Sequence, residues 1–94
     1  MVYYRNMKFA VTFYSVSCAL FLEKTLTATG IACRVVPVPR NISSSCGYTV
    51  LVFDMELQAL AATMQATGIE WETVYRMQDT SGKEEFTPIM QSEE

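Results

Sequence analysis

The sequence predicts an α+β fold: a ferredoxin-like βαββαβ sandwich, with a four-stranded antiparallel sheet and two helices on one face. Three observations carry that expectation. Four short runs are strand-like in length and apolar pattern; two longer runs between them repeat at helical spacing; and a glycine closes each helical run. Right-handed crossovers then favour the strand order 4-1-3-2. The alternative is another small α/β sheet with the same elements in a different order.

KFAVTFY, from Lys8 to Tyr14, sets Phe9, Val11 and Phe13 on one face and Lys8, Ala10 and Thr12 on the other, which is a strand. Ser15 or Ser17 offers an N-cap for a helix that carries Leu22 and Leu26 and stops at Gly30. The second strand, IACRVVP (31–37), is β-branched and alternating, with Ile31, Cys33 and Val35 on one face. YTVLVF (48–53) is the third. Asp54 is expected to cap the second helix, whose stripe is Leu57, Leu60, Ala61 and Met64 and whose end is Gly68. EWETVYRM (70–77) alternates again and forms the fourth strand. Residues 1–78 are thus expected to make one domain, and the polar residues 79–94 a flexible tail.

Composition narrows the function. Of 94 residues, 50% are hydrophobic and 18% charged, so one core can form without metal or disulfide support. Net charge is −3, and Arg5, Lys8, Lys24, Arg34, Arg40, Arg76 and Lys83 are scattered, which argues against nucleic acid as a partner. With no histidine there is no Cys-His nucleophile pair, no His-ligated zinc and no His general base. Cys18, Cys33 and Cys46 are odd in number and lack CxxC spacing, so neither a disulfide framework nor a metal site is expected, and the compartment reads as reducing and cytoplasmic. Arg5 and Lys8 ahead of FAVTFYSVSC mimic a lipoprotein leader, but the alternation there is that of a strand. No stretch reaches the ~18 uninterrupted apolar residues of a membrane span.

The loop PVPRNISSSCG, from Pro37 to Gly47, places a cysteine in a polar, constrained setting. If the first strand runs upward, this loop lies at the same end as the N-terminus of the first helix, and Gly68–Trp71 arrives there too. Ser15, Ser17 and Cys18 should therefore converge with Arg40, Ser43, Ser44, Ser45 and Cys46. A helix N-terminus and a nearby guanidinium both favour a thiolate. Gly47 leaves room for a reactant, and Pro37 and Pro39 stiffen the loop. The plainer reading is that these are ordinary loop residues and that Cys46 is a small apolar group at a strand's start. Cys33 alternates into the core. Cys18 is either a core residue of the first helical turn or a second thiol beside Cys46.

The run from Phe13 to Val52 resembles the small family of selenium/sulfur carrier-like proteins. The residues that carry the resemblance are Phe13-Tyr14-Ser15, Glu23-Lys24, Gly30-Ile31, Val36 through Arg40, Ile42-Ser43 and Cys46-Gly47. Ser45 departs from the small residue, often glycine, expected before Cys-Gly. The resemblance implies a carrier or accessory protein rather than a stand-alone enzyme, with donor and acceptor proteins as partners. It implies no cofactor beyond a transient sulfur or selenium on Cys46, with Arg40, as stabiliser, and Ser43 in the same motif; Ser45, Gly47, Ser15 and Cys18 are supporting residues by the expected convergence of loop and helix. A non-catalytic interaction or small-ligand module is the other reading. Ala10, Thr12, Tyr14, Val36, Leu51 and Phe53 would form an apolar strip on the sheet's outer face, suited to a homodimer.

Overall fold

The computed structural model describes residues 8–42 and 44–92. Its elements run β1 (Lys8–Thr12), α1 (Val16–Ala28), β2 (Cys33–Pro37), β3 (Tyr48–Phe53), α2 (Leu57–Thr67), β4 (Thr73–Thr80) and β5 (Lys83–Gln91). The strands form one antiparallel sheet in the order β2-β3-β1-β4-β5. The first four keep the expected order. The sheet nevertheless has five strands, not four, because the expected tail is a strand outside β4.

The turn explains the fifth strand. Thr80 pairs with Lys83 across Ser81 and Gly82, whose φ angles are 52° and 79°. Two successive positive φ values match the tight hairpin turn that suits the right-handed twist of paired strands, and Ser-Gly tolerates them. The chain therefore turns back where composition suggests a tail, and residue 78, the expected domain boundary, falls inside β4. As the sheet's outer strand, β5 carries exposed Lys83, Glu84 and Glu85, and Pro88 lacks an amide donor. Charges and proline discourage edge-to-edge pairing with another sheet.

One core lies between sheet and helices. Phe9 pairs with Val52, and Val11 with both Val50 and Val74, so these side chains share a face. Ala19, Leu22 and Leu26 of α1, at i, i+3 and i+7, join them, as do Leu60 and Met64 of α2. Both helices thus cover the same side of the sheet. Ser15, one of the two expected caps, is the N-cap of α1; that of α2 is Glu56 instead of Asp54. Asp54 has φ 57°, a left-handed value that its short polar side chain tolerates.

On the opposite face Ala10 and Thr12 are fully buried, Ala10 in register with Leu51 and Tyr75, Thr12 with Thr49 and Thr73. The hydroxyls there are satisfied: Thr49 Oγ1 donates to the Val11 carbonyl at 2.7 Å and Thr12 Oγ1 to that of Thr73 at 3.4 Å. Of the expected apolar strip, only Tyr14 is well exposed, while Val36, Leu51 and Phe53 are half-buried. Among the described residues, no helix is long and apolar enough to cross a membrane.

Candidate functional site

The end of the sheet where β1 feeds α1 gathers the polar loop, as the topology requires. Ser44 Oγ donates to the Phe13 carbonyl at 3.2 Å, which ties the loop to the last turn before the helix. Glu72 N–H donates to the Thr12 carbonyl at 2.7 Å, which brings the lead-in to β4 to the same place. The β1–β3 ladder ends at this end of the sheet, where Thr12 pairs with Thr49. The hairpin of β2 and β3 runs on past its strands, with Val38 N–H donating to the Gly47 carbonyl at 3.0 Å.

The Cys46 side chain is half-buried and packs against the core. Its sulfur lies 3.7 Å from Ser44 Oγ and donates to the Tyr48 carbonyl at 3.4 Å, while its amide donates to Ser44 Oγ at 3.4 Å. Ser44 is therefore the hub of the loop, touching Phe13, Cys46 and the Tyr48 carbonyl, the last at 3.4 Å. Gly47 has φ 81°, and a Cβ built there would meet nothing within 4 Å. The space on that side of Gly47 is open. Gly47→Ala should cost about 1–2 kcal/mol through backbone strain alone; a urea titration with an unchanged midpoint would show that the loop relaxes instead.

Cys18 lies in the first turn of α1. Its amide donates to the Ser15 carbonyl at 3.2 Å. Ser15 Oγ makes no capping bond to the backbone; it donates to Cys18 Sγ at 3.6 Å. Cys18 also faces an open groove of about 430 Å³ shared with Ser17, Phe21, Thr67, Gly68, Ile69 and Glu70. Cys33 stands apart, against the core at the far end of α1, with its sulfur 3.6 Å from Thr27 Oγ1 and from the Glu23 carbonyl.

Of the other expected residues, Arg40 is exposed and is not among the hydrogen-bond partners of the Cys46 thiol. Ser43 lies outside the described residues. Ser45 is held from an unexpected quarter: its amide and hydroxyl donate to the two carboxylate oxygens of Glu72, at 3.2 and 2.7 Å. Glu72 reads in the sequence as an outward residue of an alternating strand. The signal that could have found it is topological, since the segment entering the last strand ends beside the cysteine loop. Its carboxylate clamps the residue immediately before Cys46. Glu72→Ala should cost about 1–1.5 kcal/mol locally, with amide hydrogen exchange of Ser45 and Cys46 roughly tenfold faster. Unchanged exchange would show that the clamp does not hold the loop.

Fold and site together define a small α+β protein that presents a thiol on a loop where β1, α1 and β4 meet. A family model described as "Putative Se/S carrier protein-like" matches residues 8–76, and the chain belongs to that family. No curated protein and no solved structure matches it.

Proposed function

We propose that this protein carries sulfur or selenium on Cys46, as a persulfide or selenosulfide, between a donor and an acceptor protein. Family membership suggests chalcogen carriage, and the observation that selects the residue is the setting of Cys46. Its thiol is half-buried at an open turn, on a loop held by Ser44 and by the Glu72–Ser45 clamp. We read the fold as ferredoxin-like with a fifth strand.

The transfer balances without an external oxidant. The Cys46 thiolate attacks the terminal sulfur of a donor persulfide; a new bond forms at Cys46 Sγ, the donor S–S bond breaks, and the donor leaves as a thiolate. No histidine base is required, because the bound terminal chalcogen is itself acidic. The N-terminus of α1 carries partial positive charge, which favours an anion near it. In this reading Arg40 attracts the anionic reactant from the exposed part of the loop, Ser45 helps to hold the turn, Gly47 keeps the approach clear, and Ser15 and Cys18 support from the start of α1. Exposed Tyr14, Val16, Leu20, Phe21 and Tyr48 give donor and acceptor an apolar surface to touch.

The test is incubation with a desulfurase-type donor, followed by alkylation and peptide mass spectrometry. One sulfur or selenium should be gained on the peptide that contains Cys46. Label confined to Cys33, or none at all, would defeat the proposal.

A further inference from the structure

We propose that the outer edge of β2 is a homodimer interface, along which two copies of the chain pair antiparallel about Val35 and join their sheets into one. β2 has β3 on one side and, among the described residues, no strand on the other. The hydrogen bonds that flank the β2–β3 ladder fix which way its backbone groups point. Phe53 N–H donates to the Ala32 carbonyl at 3.0 Å and Val38 N–H to the Gly47 carbonyl at 3.0 Å, both in the register of the ladder. Bonded pairs alternate along an antiparallel ladder, so Arg34 and Val36 also bond to β3. Cys33, Val35 and Pro37 therefore turn their backbone groups to the outer edge, with amides at Cys33 and Val35 and a carbonyl at each.

This edge fits itself. With a two-fold axis at Val35, each Val35 amide meets the Val35 carbonyl of the second copy, and each Cys33 amide meets the Pro37 carbonyl. Pro37 has no donor and needs none there. The register overlaps the whole of Cys33–Pro37 and sets exposed Arg34 opposite Val36 of the second copy. An axis at Arg34 would instead set like charges directly opposite each other, which is unfavourable. The overhang above the edge is apolar. Cys33 Sγ lies 3.6 Å from Thr27 Oγ1 and from the Glu23 carbonyl, so the stripe of α1 on this side is Val16, Leu20, Glu23 and Thr27. Val16 and Leu20 are 41% and 51% exposed. Pairing the edges brings the two stripes together and takes this surface out of water. The assembly closes at two copies, because β5, the other edge, is guarded by Lys83, Glu84, Glu85 and Pro88. Each β2 feeds its own cysteine loop, so antiparallel pairing sends the two loops to opposite ends of the joint. The inference stands independently of the carrier reading.

Light scattering on a sizing column, over roughly 1–100 µM, reads the association directly. Wild type should approach twice the chain mass of 10.6 kDa at the upper end. Val35→Pro removes an outward amide that β3 does not use, a placement that edge strands tolerate, and it should stay monomeric. Leu20→Lys, at an exposed position, should do the same, while Ile89→Lys on β5 should dimerise like wild type. The Cys33 and Val35 amides should exchange at least about tenfold more slowly in the concentrated protein than after dilution. Wild type that remains monomeric throughout overturns the proposal and leaves the edge to an extended segment of another protein. A dimer whose Cys33 and Val35 amides exchange equally fast at both concentrations overturns it too, since its interface lies elsewhere. If Val35→Pro loses its far-UV dichroism, Leu20→Lys and the exchange rates decide, and a Leu20→Lys chain that dimerises as well as wild type removes the α1 stripe from the interface.

Discussion

Cys46→Ser should abolish chalcogen uptake while leaving the fold intact. A hydroxyl cannot hold a sulfane sulfur under these conditions, so the loss should be complete and not a partial decline. The replacement is small and keeps the local hydrogen bonds, since a serine hydroxyl can both meet Ser44 Oγ and donate to the Tyr48 carbonyl. Its stability cost should stay within about 1 kcal/mol, the range of mild substitutions at half-buried positions. The comparison that gives the experiment its force is Cys33→Ser. Cys33 packs against the core between α1 and β2, and uptake by that variant should equal wild type. Equal uptake by Cys46→Ser and wild type would move the chemistry to another thiol.

That the loop after β2 meets the end of β1 was legible because it follows from topology. Once β1 is followed by a helix and β2 runs parallel to it, the loop after β2 has no choice of end. The bonds from Ser44 to Phe13 and from Glu72 to Thr12 realise that constraint. Side-chain partners were not legible in the same way. Arg40 is the obvious cation of the loop, yet the thiol takes its hydrogen bonds from uncharged neighbours two residues away. A long flexible side chain gains little by staying over one sulfur when water is available, and so sequence proximity overstates its grip. Glu72 was hidden for the converse reason. It lies 27 residues from Ser45, and only the pairing of β4 with β1 brings the two together.

The fifth strand was concealed by its own composition. An outer strand is under pressure to look polar, and Lys83, Glu84 and Glu85 read as a solvated tail when counted by type. The informative signal was Ser81-Gly82, a two-residue turn flanked on one side by Tyr75 and Met77 and on the other by Phe86. Tyr75 and Phe86 meet edge to face, with ring centroids 6.5 Å apart.

Phe9→Ala should be the most damaging single change to stability. Phe9 lies on β1, the middle strand of five, and is 1% exposed. It faces the helices in a cluster with Leu22, Leu26, Val52 and Leu60. Truncation removes the transfer free energy of a ring and leaves a void that a central strand, paired on both edges, cannot collapse to fill. The expected cost is about 3–5 kcal/mol. A domain of this size has roughly 5–15 kcal/mol in all, so the variant should be near the threshold of folding. At about 4–8 °C per kcal/mol the melting temperature should fall by more than ten degrees. Phe53→Ala supplies the contrast, since that ring is half-buried on the face without helices and its neighbours leave less of a sealed void. A urea titration of both variants that ranks Phe53→Ala as the costlier would mean that the sheet's other face, not the one under the helices, holds the molecule together.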